Sequence, residues 1–323
     1  MNLDNLYLNR FRVNLKAIDD IFLPPYKGFA LRGVFGTVLR EITCAVASAD
    51  CASCGRRDGC GYVYLFETGP DPGLADAAKF RSFPRPYVLT PPLDSRNRYL
   101  PGELLSFEIV LVGKSDAFLP HVIATFEAIG DRGFRRKGSP GRFRLMNVEA
   151  LGDDGRSTLV YQDGDFFGAA EPVMFTHLVD NSPAGCATVV LNFRTPLRIE
   201  EQGVTVRRPP DFAFIVNSLT RRASLLNYLH CNGPPPVEVD LSNETEGVKI
   251  RSSALVWQEL ERFSTRQKMR LAQGGLMGSI TYEGKALGKF VPLLRLGEYL
   301  HLGKSTTFGL GNYRLSVAWT PES

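Results

Sequence analysis

Three stretches of this 323-residue chain carry residue types that could do chemistry. The first is a run of cysteines, Cys44, Cys51, Cys54 and Cys60, spaced C-x6-C-x2-C-x5-C. In a reducing compartment, clustered cysteines more often hold a metal than form disulfides. Four thiolates suit tetrahedral zinc or an iron–sulfur cluster. The reading favoured here is a structural zinc, with iron–sulfur or no metal as alternatives. A closed four-cysteine zinc site has no open position, so it would hold structure and do no chemistry. Cys186 and Cys231 stand alone and read as small, buried apolar residues. The second stretch, RGFRRKGSPGRFR, carries six basic side chains and no acidic one: Arg132, Arg135, Arg136, Lys137, Arg142 and Arg144. It is either a solvated loop or a contact for an anionic partner. The third, HLGKSTTFGLGNYRL, sets Lys304 and small hydroxyl residues among Gly303, Gly309 and Gly311, just before a strand-like ending. It is too polar and glycine-rich to be core.

The elements that must position these stretches follow from periodicity. Hydrophobic content of 44% and charge of 22% suit a globular protein. The length suggests about two domains of ~100–200 residues. The net charge of +4 alone says little about a partner. No run of ~18 apolar residues occurs, so no membrane-spanning helix is expected. The start, MNLDNLYLNRFRVNLKA, alternates like a strand and lacks the basic and apolar blocks of a signal peptide, which implies a cytoplasmic protein.

Residues 6–17 form the first expected strand. Leu31, Val34, Phe35, Val38, Leu39 and Ile42 recur at the spacing of one helical face. Gly33 and Gly36 on the other side cost about 1 kcal/mol each in a helix, so another element or a ligand should approach there. Extended runs follow at 85–90 and 104–113, a helix over AFLPHVIATFEAIGDRG, and a strand over RFRLMNVEALG. The order is β-α-β-β-α-β, a ferredoxin-like arrangement. The second half repeats it: a strand at 187–194, a helix opened by Pro209, Pro210 and Asp211, a hairpin within 254–283, a short helix at 291–300, the glycine loop and a last strand. The fold class is therefore α+β, with two tandem ferredoxin-like (RRM-like) domains, 1–160 and 186–323. The cysteine segment 44–60 is an insertion after the first helix, and the glycine-rich loop is 303–311.

The run GGLMGSITYEG…VPLLRLGEYLHLGKSTTFGLGNYRL resembles the glycine-rich signature of the CRISPR-associated RAMP endoribonucleases, which cut precursor RNA within the CRISPR repeat. ALRGVFGTVLREITC with the cysteines and YVYLFE, the basic loop and RRASLLNYLHCNG are similar too, so the likeness spans nearly the whole chain. It implies two tandem ferredoxin-like domains, repeat RNA as ligand and other CRISPR effector subunits as partners. Gly303, Lys304, Gly309 and Gly311 then form a backbone nest for a phosphate. The basic loop lies on phosphates, and Phe134 or Phe143 stacks on bases.

The chemistry implied by the resemblance needs no metal cofactor. The ribose 2′-OH attacks the adjacent phosphate, leaving a 2′,3′-cyclic phosphate and a 5′-OH. That requires a base, an acid and cationic support. In the family a histidine on or near the first helix often serves, but YKGFALRGVFGTVLRE has none. The expected site lies between the first helix and the glycine loop. Tyr26 and Lys27 are its acid–base candidates, His301 is the alternative, and Arg32 and Lys304 support charge. His121 reads as structural and His230 as ending a helix. Two rival readings remain: a non-catalytic CRISPR RNA-binding subunit, and an unrelated metalloprotein built on the four cysteines.

Overall fold

The computed structural model describes residues 2–44, 50–69, 83–168, 170–180, 186–237, 239–264 and 269–319. The chain divides into two units. The first comprises Leu6–Val173 with Leu226–Asn232, and the second Met1–Asn5, Met174–Leu225 and Gly233–Ser323.

The first unit runs β1 (Tyr7–Ala17), β2 (Ile21–Phe22), α1 (Gly28–Thr43), α2 (Gly61–Phe66), β3 (Tyr87–Thr90), β4 (Arg98–Tyr99), β5 (Leu104–Val112), α3 (Leu119–Arg132), β6 (Phe143–Leu151), β7 (Ser157–Gln162) and β8 (Asp165–Phe166). Its main sheet has the order β3-β5-β1-β6-β7-β8. The first four positions are the ferredoxin-like order, with β1 antiparallel to both β5 and β6. Alternation along β1 decides the faces: Phe11, Val13 and Leu15 are buried, while Arg10, Arg12 and Asn14 look outward. The outward face is a polar network and not an aromatic platform. Arg10 donates to Glu108 at 2.9 Å, and Asn14 donates to Asn147 at 2.6 Å. Helices α1 and α3 bury Leu31, Phe35, Leu39, Phe126 and Ile129 against the other face. Of α1's predicted apolar stripe, Ile42 is left 40% exposed.

Gly36 is explained by α2. A Cβ there would lie within 3.0 Å of the Phe66 ring, whereas one on Gly33 would meet nothing. The segment between the two expected domains is not a plain link, because β7 and β8 extend the first sheet.

Continuing along the chain come β9 (Val173–Met174), α4 (Phe175–Asp180), β10 (Cys186–Leu197), β11 (Ile199–Glu201), β12 (Val204–Val206), α5 (Phe212–His230), β13 (Lys249–Ser253), β14 (Val256–Gln258), β15 (Glu261–Ser264), β16 (Met269–Ala272), β17 (Gly275–Glu283), α6 (Val291–Leu300) and β18 (Tyr313–Trp319). The second unit's sheet has the order β13-β17-β10-β18, the same ferredoxin-like order again. The predicted face of α5 is buried: Phe212, Ile215, Val216, Leu219 and Ala223. The hairpin expected within 254–283 is present, since β14 pairs antiparallel with β17, Val256 opposite Met277 and Gln258 opposite Gly275, but the second strand of this repeat is β13. Its five residues are all exposed, so it offers no alternation to read. Beyond β14, β15 pairs with β16 and lengthens that hairpin, an addition to the basic topology. The side chain of Cys186 lies outside the described residues.

Candidate nucleic-acid interface

In the first unit Lys27 precedes α1 and accepts its first backbone bond, Leu31 N–H to Lys27 O. The Lys27 side chain is buried. Its Nζ donates to Asp94 O at 2.7 Å and lies 3.2 Å from Asp94 Oδ1. Partial burial pulls the Asp94 carboxyl upward, but hydrogen bonds from Tyr99 and Lys27 outweigh it and leave its pKa below the ordinary value. A lysine so engaged holds the β4 approach in place and is committed to Asp94. Tyr26 packs on Phe29 with ring centroids 4.8 Å apart, and burial pushes its phenol pKa well above the usual value. At neutral pH it can donate a proton but is a poor base. The Arg32 guanidinium lies over the Phe66 ring at 4.7 Å.

The basic stretch leaves α3 and turns back into β6. Half of its cations are already spent on the fold. Arg132 pairs with Glu41, Arg142 with Asp19 at 2.8 Å, and Arg144 with Asp163 at 2.7 Å. The other three, Arg135, Arg136 and Lys137, are exposed at the tip of a tight turn closed by the Arg136–Ser139 bridge. Arg135 Nε donates to Arg132 O, and Lys137 Nζ lies 5.3 Å from the Phe22 ring. Arg135 and Lys137 have positive φ, an uncommon conformation for such residues. Phe143 is core and Phe134 packs beside it with centroids 5.6 Å apart, so Phe143 is not the expected base-stacking platform.

The zinc expectation finds no support. Among the described residues, no three or more His, Cys, Asp or Glu side chains gather to hold a metal. Cys44, Cys51, Cys54 and Cys60 are partly buried. Burial raises the Cys51 thiol pKa against the pull of Arg40, with Glu67, Cys44 and Cys60 raising it further. Cys60 lines a cleft of about 540 Å³ with Thr43 and His121.

In the second unit, the glycine loop folds back on the end of β10. Lys304 N–H donates to Arg198 O and Gly311 N–H to Pro196 O, both at 2.9 Å. Gly303 and Gly311 have positive φ, and a Cβ on either would overlap a backbone oxygen, Arg198 O or Leu302 O. Both glycines are therefore required by the fold itself. Gly309 ends a short 3-10 turn, also with positive φ. Lys304 projects into solvent, 60% exposed, with Nζ 3.7 Å from Glu200.

His301 is buried. Its Nδ1 is 3.2 Å from Leu310 O, which can only accept, so Nδ1 carries the proton. Nε2 then accepts from Asn312 Nδ2 at 2.9 Å. Burial, with the Arg222 and Arg194 charges nearby, pushes its pKa down to about 3. With both nitrogens engaged, His301 fixes the loop and has no lone pair for a substrate proton. His230 is similar: it is buried, its Nδ1 lies 3.0 Å from the Tyr64 hydroxyl, and its pKa is pushed down to about 4 by burial.

A family model described as an N-terminal domain, AF_1859_N, matches residues 6–173, and the model of the CRISPR-associated endoribonuclease Cas6 matches residues 191–313. The chain belongs to the AF_1859_N family, and its segment 191–313 to that of the CRISPR-associated endoribonuclease Cas6. Its general setting is CRISPR RNA processing. An uncharacterized protein of Archaeoglobus fulgidus is 26% identical over 322 residues, covering 96% of this chain and 98% of that one. Among solved structures, a Cas6 product complex superposes with a TM-score of 0.56 at 16% identity, covering 96% of this chain and all of that one. A Thermus thermophilus Cas6 gives 0.54 at 15%, covering 96% and 99%. A partial Cas6-RT-Cas1–Cas2 complex gives 0.58 at 14%, and there the present chain spans 46% of a longer one. At these identities the structural likeness is one of fold.

Within the Cas6-matched segment, sequence reading passed over Arg222, Asn312 and Glu200. Arg222 and Asn312 flank His301, and Glu200 faces Lys304. Arg222 had a signal of its own: it stands in RRASLLNYLHCNG, one of the stretches that carried the resemblance.

Proposed function

We propose that this chain is an endoribonuclease that binds CRISPR repeat RNA and cuts it without a metal. The 2′-OH attacks the adjacent phosphorus, its proton passes to a base, and the departing 5′ oxygen takes up a proton. The products are a 2′,3′-cyclic phosphate and a 5′-OH. The observation that carries the reading is the glycine loop, which lies inside the Cas6-matched segment, is locked by the fold and presents Lys304 to solvent. Arg135, Arg136 and Lys137 in the first unit add a phosphate-binding patch. Arg32 is a further cation of that unit. Tyr26, kept protonated by burial, suits the role of proton donor to the leaving oxygen. The partners in this reading are repeat RNA and other subunits of a CRISPR complex.

A second reading has its own support. Lys27 is bound to Asp94, and both ring nitrogens of His301 are engaged, so two of the three acid–base candidates are committed to structure. That favours a non-catalytic RNA-binding subunit. The deciding experiment is a cleavage assay on the repeat RNA of its own locus, in EDTA, with a 2′-deoxy substitution at the cut site. A single cut, abolished by the deoxy group and leaving a cyclic phosphate, supports the nuclease. Tight binding without cleavage overturns it and leaves the binding subunit.

A further inference from the structure

Arg222 on α5 is a cation without a counter-charge among the described residues. Its Nε donates to Leu300 O at 3.1 Å, the last carbonyl of α6 before the glycine loop. Its Nη2 is buried and makes no hydrogen bond. Burial is the one influence on its pKa, which falls to about 10, and no carboxylate among the described residues raises it again. The neighbourhood has the same sign, since the His301 ring lies under the charges of both Arg222 and Arg194. A guanidinium taken from water is costly unless it is paired and hydrogen-bonded. One carbonyl and the negative end of a helix compensate only in part.

Arg10 and Arg198, also partly buried, pair with Glu108 and Glu200. Arg222 has no such partner among the described residues and lies beside the loop that presents Lys304. The residue as a whole is half-buried and not fully enclosed. We propose that Arg222 is the protein's half of a phosphodiester site. An RNA phosphate oxygen, and not a carboxylate of the chain, completes its hydrogen bonding at the start of the glycine loop. The planar fork of five donors suits a phosphate bound through two oxygens. The inference rests on the RNA-binding reading above.

The test uses the full chain and a repeat RNA made uncleavable by 2′-deoxy substitution. Affinity is measured by fluorescence anisotropy across a series of KCl concentrations. Each single-strand phosphate contact contributes about 0.7 to the slope of log K against log salt. Arg222→Gln is expected to lower that slope by about 0.7 and to weaken binding roughly tenfold at the lowest salt. In a parallel arm, inorganic phosphate at ionic strength matched with chloride raises the melting midpoint of the wild type but not of R222Q. If Arg222 only caps α6, R222Q melts earlier yet keeps slope and affinity, which overturns the inference while RNA binding stands. If the wild type does not bind the RNA, both the reading and the inference fall. Should R222Q fail to fold, Arg222→Lys decides. It keeps the charge but loses the fork, and an affinity equal to wild type overturns the proposal. A phosphate effect without any RNA effect marks a site for free phosphate and also overturns it.

Discussion

Replacing Gly311 by alanine separates two explanations for the glycines before the last strand. If they serve only to let RNA phosphates approach, Gly311→Ala weakens binding and leaves stability alone. The structure says otherwise. Gly311 has φ +75°, and its Cβ would overlap Leu302 O. The left-handed backbone costs an alanine about 1–2 kcal/mol. Relief of the overlap breaks Leu302 N–H to Gly311 O and Gly311 N–H to Pro196 O, at about 1 kcal/mol each. The expected loss is about 3–4 kcal/mol. Gly247→Ala is the control, since it has φ +83° but open space around its Cβ, and it should cost only the conformational ~1–2 kcal/mol. The chain's two tryptophans, Trp257 and Trp319, both lie in the second unit, so their fluorescence during urea unfolding reports on that unit. A Gly311→Ala loss within about 1 kcal/mol of the Gly247→Ala loss would refute the reasoning and return the glycine to the ligand.

Three further outcomes follow from the charges. His301 and His230 have folded pKa values of about 3 and about 4, below the ordinary ~6.5. Their neutral forms therefore stabilise the fold fully above pH ~6.5, and each loses about 1.4 kcal/mol per pH unit as the pH falls toward its folded value. His301→Asn should flatten the acid limb of the tryptophan-monitored stability curve, and an unchanged limb contradicts the buried neutral ring. Asp94→Asn strands the Lys27 charge and should cost about 1–3 kcal/mol by thermal unfolding, the usual range reduced because Asp94 is a third exposed. The native Asp94 pKa is lowered, so this support is present above pH ~4 and fades as the pH falls below it, a trend the variant should lack. Neutralising Arg135, Arg136 and Lys137 together should reduce the salt slope of RNA binding by about 2, whereas Arg142→Ala, already paired with Asp19, should change it little.

Both ferredoxin-like repeats were legible wherever one face of an element is buried. The alternation of Phe11, Val13 and Leu15 and the helical spacing of Ile215, Val216 and Leu219 are direct prints of a core. β13 was not legible, because an exposed edge strand imposes no pattern. Neither were β7 and β8, which follow a turn-rich Asp/Gly stretch. Residue types located the glycine loop and the basic turn, but not their occupancy. That Arg132, Arg142 and Arg144 are neutralised by Glu41, Asp19 and Asp163 depends on partners up to 123 positions away. Likewise a histidine next to a glycine loop suggests a base, while a hydrogen bond to Leu310 O and one from Asn312 make it a strut.

Residues 226–232, the end of α5 and the segment after it, belong to the first unit although Met174–Leu225 belongs to the second. During synthesis the first sheet and its helices can therefore collapse early, but Tyr64 waits for His230, and Gly113 for the His230 carbonyl that fills the space a side chain would take. Vectorial folding, domain by domain, is interrupted here. A nascent chain stalled shortly after residue 173 would expose this notch to chaperones or proteases. A gene fragment ending there would yield a first unit lacking its last piece, which makes the two halves poor candidates for exchange by recombination.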